Sequence, residues 1–146
     1  MFLNESGKTA FVKKHAKEGD LIIDFDLLMS AISLQDPHAH FKGRKDLVRY
    51  ALATRGALIC EMVLDPTRPR TWFIMTSAVE KDREQFQAMF DAEVIVIATP
   101  KHICLDRLRT DPMRSHQVDE SREVIGDWWH EFSPRAGKET IYDWEG

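Results

Sequence analysis

The spacing of hydrophobic positions along this chain switches repeatedly between a helical period and short apolar runs. The runs are typical of buried strands, and we predict strands at residues 21–25, 71–75 and 93–98. The helical spacing predicts helices at 8–16, 26–32 with Asp26 as N-cap, 44–63, 80–90, 101–109 and 118–132. Because strands alternate with helices, the pattern predicts an α/β fold with a mostly parallel sheet flanked by helices.

Composition fits one globular domain. The chain has 146 residues, of which 43% are hydrophobic and 30% charged, a balance that does not favour disorder. We predict a domain over residues 1–132 and a weakly patterned tail over 133–146, in which Ile141, Tyr142 and Trp144 are the apolar candidates for packing. The net charge of −4 argues against a protein held mainly by nonspecific attraction to phosphate.

Two further features concern the compartment. Cys60 and Cys104 both fall in apolar helical patterns, which predicts buried thiols rather than a disulfide or metal site. No apolar run approaches the roughly 18 residues of a membrane span, and no signal peptide is visible. We therefore expect a soluble, cytoplasmic protein without a membrane partner.

One motif carries chemistry. Ser6, Gly7, Lys8 and Thr9 open the first predicted helix and match the latter half of the phosphate-binding loop GxxxxGK[ST]. A glycine lets the backbone approach phosphates, and the N–H groups of a helix N-terminus favour negative charge. In such a loop the lysine reaches the β and γ phosphates, while the threonine hydroxyl ligates Mg²⁺. The alternative is an exposed helix N-terminus with a solvated Lys8.

With this motif, residues 4–132 resemble the small P-loop kinase-like ATP-binding proteins of bacteriophages, relatives of the kinase domain of phage polynucleotide kinase. The resemblance rests on the loop itself, on GDLIIDFD (19–26), WFIMTSA (72–78) and VIVIATP (94–100), and on an arginine-bearing loop before a DWW helix. It implies a three-layer P-loop NTPase-like fold that binds ATP with Mg²⁺, in the host cytoplasm if the gene is a phage gene.

The resemblance also implies roles for single residues. Asp26 matches the aspartate that accepts the proton of the attacking hydroxyl, and Asp24 would lie near Mg²⁺ with Thr9. Arg107 and Arg114 match lid arginines that stabilise charge on the transferring phosphoryl group, with Arg109 an alternative for either. Asp24 and Asp26 also fit a simpler interpretation, a strand-end aspartate followed by an ordinary N-cap.

The chain departs from the family at its beginning. Phe2 stands where the loop should begin with glycine, and no residues are present for the first, central strand that should precede it. Burying about five apolar strand residues is worth roughly 1.5–3 kcal/mol each, which is comparable with the stability of a whole domain. A partial sequence or a misassigned start explains this better than a genuinely shortened fold.

Other candidates have weaker patterns. Asp36, His38 and His40 offer possible metal ligands without a further ligand at the usual spacing, so a solvated loop is favoured. Of the adjacent Trp128 and Trp129, we expect one in the core, and the other either packed or beside a base or lid. A group of basic residues either follows a polyanion or forms a solvated face: Arg44, Lys45, Arg49, Arg55, Arg68 and Arg70.

These observations favour an ATP-dependent phosphotransferase that moves the γ-phosphate to a hydroxyl of a nucleoside, nucleotide or polynucleotide end. The alternative is a non-catalytic nucleotide-binding or interaction protein with the same scaffold, and a weaker third reading is an NTP hydrolase. The sequence leaves the phosphate acceptor, the base preference and the oligomeric state open.

Overall fold

The structure is a computed structural model that describes residues 6–36, 45–112 and 118–142. Within these ranges, helices and short strands follow one another in a mixed α/β order, as the hydrophobic pattern predicts. The helices are α1 (Lys8–His15), α2 (Phe25–Ser33), α3 (Lys45–Leu64), α4 (Glu80–Phe90), α5 (Lys101–Thr110) and α6 (Val118–Glu131). The strands are β1 (Leu21–Asp24), β2 (Thr71–Ile74), β3 (Ile95–Ile97) and β4 (Thr140–Tyr142).

The chain divides into two units. One consists of Val12–Met75, and the other combines Met1–Phe11 with Thr76–Gly146. The first therefore holds β1, α2, α3 and β2, and the second holds the remaining strands with α4, α5 and α6. The division falls within α1, whose first turn belongs with β3 and β4.

A parallel strand pair organises the Val12–Met75 unit. β1 pairs with β2 in a register that sets Leu21 opposite Thr71 and Asp24 opposite Ile74. Ile23 in β1 is fully buried, whereas Ile22, whose side chain points to the opposite face of the strand, is 37% exposed. The short apolar runs found in the sequence therefore do form parallel strands.

The start of α2 differs from the prediction. Asp24, not Asp26, is the N-cap: its backbone is extended and its Oδ1 accepts a hydrogen bond of 2.9 Å from Asp26 N–H. A capping side chain satisfies an N–H in the first helical turn, so Asp26 is already inside the helix. The prediction was wrong because either aspartate fits an N-cap by sequence, and the residue that ends the strand is the one with the required extended backbone.

At the other end of α2, Leu34 has a left-handed backbone with φ of +56°, and its N–H bonds the Ser30 carbonyl. Its side chain is 95% exposed. Glycine is the usual residue in this conformation, because a Cβ atom crowds the backbone there.

Helix α3 is buried only in its first turns. Phe25, Met29 and Ala51 form the core between α2 and α3, with Leu28, Leu47 and Val48 packed around them. A nine-residue α2 is about 14 Å long and the 20-residue α3 about 30 Å, at 1.5 Å per residue, so α2 cannot cover all of α3. The predicted burial of Cys60, which lies near the far end of α3, is therefore wrong, and this cysteine is exposed.

A second parallel pair organises the other unit. β3 pairs with β4, with Ile95 opposite Thr140 and Ile97 opposite Tyr142. Backbone bonds of 3.0 Å from Thr140 N–H to the Val94 carbonyl and of 2.8 Å from Ala98 N–H to the Tyr142 carbonyl extend the ladder. The segment after Phe132, for which the pattern predicts no element, thus adds a strand to the sheet.

Buried charges hold this last segment in place. The Glu139 side chain is fully buried, and it accepts hydrogen bonds of 3.1 Å from Arg83 Nε and 3.1 Å from Arg135 Nε. Arg83 also donates to the carbonyls of Ala78 and Ser133. Burial raises the pKa of Glu139, but the bonds from the two arginines outweigh it, so the pKa lies below its usual range.

Helices α5 and α6 share a small core of Cys104 and Ile125. Both Trp128 and Trp129 pack against it, partly buried, so the second tryptophan takes the packed alternative. Trp128 also stacks on Phe132 with ring centroids 4.7 Å apart, and Trp129 meets Phe132 edge-on at 6.1 Å. Residues three and four apart share a helix face, so Phe132 lies within reach of both rings.

Candidate functional site

The loop before α1 has the conformation that its glycine permits. Gly7 has a φ of +81°, a left-handed value that residues with a Cβ atom rarely adopt. The helix starts immediately afterwards at Lys8, and the Gly7 carbonyl accepts the 2.8 Å bond from Phe11 N–H. The Ser6-Gly7 pair is therefore a tight turn into a helix N-terminus.

This turn is fixed to the carboxyl end of β3. Thr99, which follows β3 by two residues, donates its hydroxyl to the Ser6 carbonyl over 2.8 Å. Both residues are buried, with Thr99 only 2% and Ser6 7% exposed. In open parallel sheets, ligands bind beyond the carboxyl ends of the strands, and the Ser6-Gly7 turn lies at such an end.

The side chains of the loop are close to one another. Lys8 Nζ donates to Ser6 Oγ over 2.9 Å, and Lys8 and Thr9 are both partly buried. The first turn of α1 itself contains no acidic residue, so no side chain of that turn neutralises the positive end of the helix dipole. The arrangement is compatible with an anion at this helix N-terminus.

An aromatic contact supports the same helix. The rings of Phe11 and Tyr142 lie with centroids 5.1 Å apart, and Phe11 is only 4% exposed. Since Tyr142 ends β4, this contact joins the first turns of α1 to the strand that neighbours β3. Thr99 thus attaches the loop to the end of β3, and Tyr142 attaches helix α1 to β4.

The predicted lid arginines are only partly described. Arg107 lies in the last turn of α5 and is partly buried, and its carbonyl accepts bonds from Thr110 Oγ1 and from Asp111 N–H. Arg109, the alternative, is exposed and forms an ion pair of 3.1 Å with Asp106. Arg114 lies outside the described residues.

The two predicted acidic residues belong to the Val12–Met75 unit. Asp24 is buried, with 6% of its surface exposed, and Asp26 is partly buried in the first turn of α2. The strand ends at Asp24 and the helix begins at Phe25, so the two aspartates do not lie on one strand. Instead the Asp24 carboxylate and the Asp26 amide are joined by the cap.

Sequence reasoning missed a group around Asp20. The Asp20 carboxylate accepts hydrogen bonds from Arg70, from Trp72 Nε1 at 2.8 Å and from Lys17 N–H at 2.9 Å. The Arg70 bond, with help from the Lys17 amide, holds the pKa of Asp20 well below its usual range. Asp20 precedes β1 and Arg70 precedes β2, so the group holds the starts of the two paired strands together.

The weaker candidates have local explanations where they are described. His38, His40 and Arg44 lie outside the described residues, and Asp36 is exposed. Three arginines of the basic group lie over aromatic rings, Arg49 on Tyr50, Arg55 on Phe73 and Arg70 on Trp72. Such contacts are typical of a packed protein surface.

Two kinds of feature are absent from the described residues. No cluster of three or more histidine, cysteine, aspartate or glutamate residues in residues 6–36, 45–112 and 118–142 is arranged to hold a metal ion. None of the helices in those same ranges combines the length and the apolar character needed to span a bilayer.

No protein-family model matches the chain, and no curated protein matches it significantly. The fold places the chain in the α/β class, with short parallel strands. The candidate site is the Ser6-Gly7 turn at the start of α1.

Proposed function

We propose that this chain binds the phosphates of ATP through Ser6, Gly7, Lys8 and Thr9, and that it is a phosphotransferase of the P-loop kinase type. The observation that carries the proposal is the Ser6-Gly7 turn: a left-handed glycine at the N-terminus of α1, anchored to the carboxyl end of β3 by the Thr99 hydroxyl. A P-loop needs these same elements, a backbone turn open to phosphate and a helix N-terminus behind it.

The parallel strands support the proposal further. Within each unit the described strands pair in parallel, β1 with β2 and β3 with β4. Parallel pairing is what an α/β fold of the P-loop type requires.

Each residue of the proposed nucleotide site has a defined role. Lys8 leaves Ser6 Oγ to neutralise the β and γ phosphates, and the helix N–H groups bind phosphate oxygens. The Thr9 hydroxyl would hold Mg²⁺, which supplies positive charge to the phosphates when bound, and Arg107 with Arg114 stabilises the charge that spreads over the transferring group. The P-loop kinase resemblance gives Asp24 the role of a metal ligand and gives Asp26 the role of the base that accepts the proton of the acceptor hydroxyl. Positioning and electrostatics supply the catalysis.

Titration of ATP with Mg²⁺ in a calorimeter tests the binding step, with Lys8→Ala as the key variant. Losing a charge-assisted contact to phosphate should weaken binding by about 10- to 100-fold. Lys13→Ala is the matched control, because Lys13 is an exposed lysine on the same helix and should leave affinity unchanged. Equal affinity of the parent chain and Lys8→Ala would remove the phosphate loop from consideration.

One observation favours a second candidate, a nucleotide-binding protein without turnover. The Oδ1 atom of Asp24 is already used to cap α2, which limits what this carboxylate can offer a metal ion. Such a protein would bind ATP through the same loop and transfer nothing.

Transfer of labelled γ-phosphate to nucleosides, nucleotides and 5′-hydroxyl oligonucleotides separates the two candidates. For the kinase, Asp26→Asn should abolish transfer and keep ATP affinity. Asp24→Asn is the informative comparison, since asparagine still caps a helix but cannot supply a carboxylate to Mg²⁺. Binding by the parent chain with no transfer to any of these acceptors supports the non-catalytic candidate.

A further inference from the structure

We propose that Thr99 is the positioning residue of the phosphate loop, and that its hydroxyl turns the Gly7 amide toward the bound phosphates. This inference rests on the proposed function. It concerns a residue 93 positions away from Ser6 in the chain, outside the loop motif itself. Thr99 does not contact the nucleotide; it acts through the orientation of one peptide unit.

The orientation follows from the geometry of a trans peptide. The Ser6 carbonyl and the Gly7 N–H belong to one planar unit, in which the C=O and N–H bonds point in opposite directions. The structure contains no cis peptide bond among its described residues. Because Thr99 holds the Ser6 carbonyl over 2.8 Å, the Gly7 N–H must point away from the Thr99 hydroxyl.

The burial of Thr99 determines which way the carbonyl and the amide of this peptide unit point. Thr99 is 2% exposed, so the carbonyl is directed into the protein interior and the amide is directed out of it. Gly7 itself has a left-handed φ, which is the backbone conformation of turns that line up consecutive N–H groups. Consecutive N–H groups in such a turn form the concave anion site that binds phosphate in P-loops.

The position of Thr99 also explains why a hydroxyl is present there. Pro100 follows it as the residue before α5, and proline has no N–H to offer a neighbouring carbonyl. With Pro100 unable to donate, the side chain of Thr99 supplies the hydrogen bond to Ser6 at this strand end. Without that hydroxyl, the Ser6 carbonyl loses this buried hydrogen bond.

The test compares variants of the full chain by titration of Mg²⁺-ATP and by thermal unfolding without ligand. Thr99→Val keeps the shape and removes the hydroxyl, and we expect about tenfold weaker binding, the size of one lost hydrogen bond. Thr99→Ser keeps the donor and should restore the affinity of the parent chain. Thr54→Val is the matched control, because Thr54 Oγ1 also donates to a backbone carbonyl, over 2.9 Å, but on the exposed side of α3.

A purely structural role gives a different result. It would lower the unfolding temperature and the fraction of binding-competent protein, while the dissociation constant of the folded molecules stayed that of the parent chain. Thr99→Cys guards against a valine variant that does not fold, because a thiol is a weak donor and should give an intermediate affinity. Parental affinity in Thr99→Val or in Thr99→Cys overturns the positioning role.

The two proposals fail in distinguishable ways. If the parent chain binds ATP and responds to Lys8→Ala but not to Thr99→Val, only the positioning role is overturned. If the parent chain does not bind ATP at all, the phosphate loop and the role of Thr99 are both overturned.

Discussion

The turn at the proposed site depends on a single glycine, because Gly7 lies in a region of backbone space that other residues avoid. With a φ of +81°, an alanine at this position meets a penalty of about 1–2 kcal/mol. We predict that Gly7→Ala lowers the free energy of unfolding by about that amount and weakens ATP binding. Urea unfolding and calorimetry measure the two effects.

Gly56 offers the opposite case within the same chain. It lies inside α3, and a Cβ atom added there would meet nothing within 4 Å. Gly56→Ala should therefore raise stability by about 0.5–1 kcal/mol, as expected for a helix interior, and leave ATP binding unchanged. A Gly7→Ala variant that gained stability like Gly56→Ala would contradict the strained turn.

At the scale of elements, the buried network around Glu139 determines whether β4 stays on β3. We predict that Glu139→Gln lowers the free energy of unfolding by about 3–5 kcal/mol, because it leaves the guanidinium groups of Arg83 and Arg135 buried without their counter-charge. Chemical denaturation gives the value. Glu84→Gln, an exposed position on the same helix as Arg83, should change stability little.

The length mismatch between α2 and α3 makes a second prediction. Cys60 lies beyond the part of α3 that α2 covers and is exposed, whereas Cys104 is 1% exposed. A thiol reagent should modify one cysteine rapidly in the native protein and the second only after unfolding. Cys60→Ser should abolish the rapid phase. A rapid phase that persisted would contradict the burial of Cys104.

The elements themselves were largely predictable, since hydrophobic periods are local. α4 has the predicted bounds, and β1 and β2 lie within the predicted runs. Contacts between distant residues were not predictable. Neither the Thr99 bond to Ser6, 93 residues apart, nor the Arg70 bond to Asp20, 50 apart, leaves a signal in one sequence. The motif identified the candidate loop, and only the fold revealed what anchors it.

Charge connects these parts to the stability of the whole molecule. The pKa of Asp20 and that of Glu139 are both lowered in the folded state, and the two residues lie in different units. A carboxyl group with a lowered folded pKa stabilises the protein above its unfolded pKa, about 4, and this stabilisation disappears as the pH falls further. Acid should therefore weaken both units.

Urea unfolding between about pH 7 and pH 2 measures this dependence. Asp20→Asn should be less stable than the parent chain at neutral pH and should lose less stability on acidification, since asparagine has no proton to gain. Asp127→Asn, at an exposed site in α6, serves as the control and should follow the parent curve. Parallel curves for Asp20→Asn and the parent chain would show that the Arg70 pair does not stabilise the fold.

The leucine that ends α2 has a practical consequence for work with this protein. Leu34 holds a glycine-like backbone at φ +56° while its side chain contributes nothing to packing, being 95% exposed. Leu34→Gly should therefore raise the melting temperature, whereas most substitutions lower it. It also removes a large apolar side chain from the surface. It is the first substitution to make when a more stable and more soluble sample is needed for crystallisation or NMR. A lower melting temperature would contradict the left-handed backbone at Leu34.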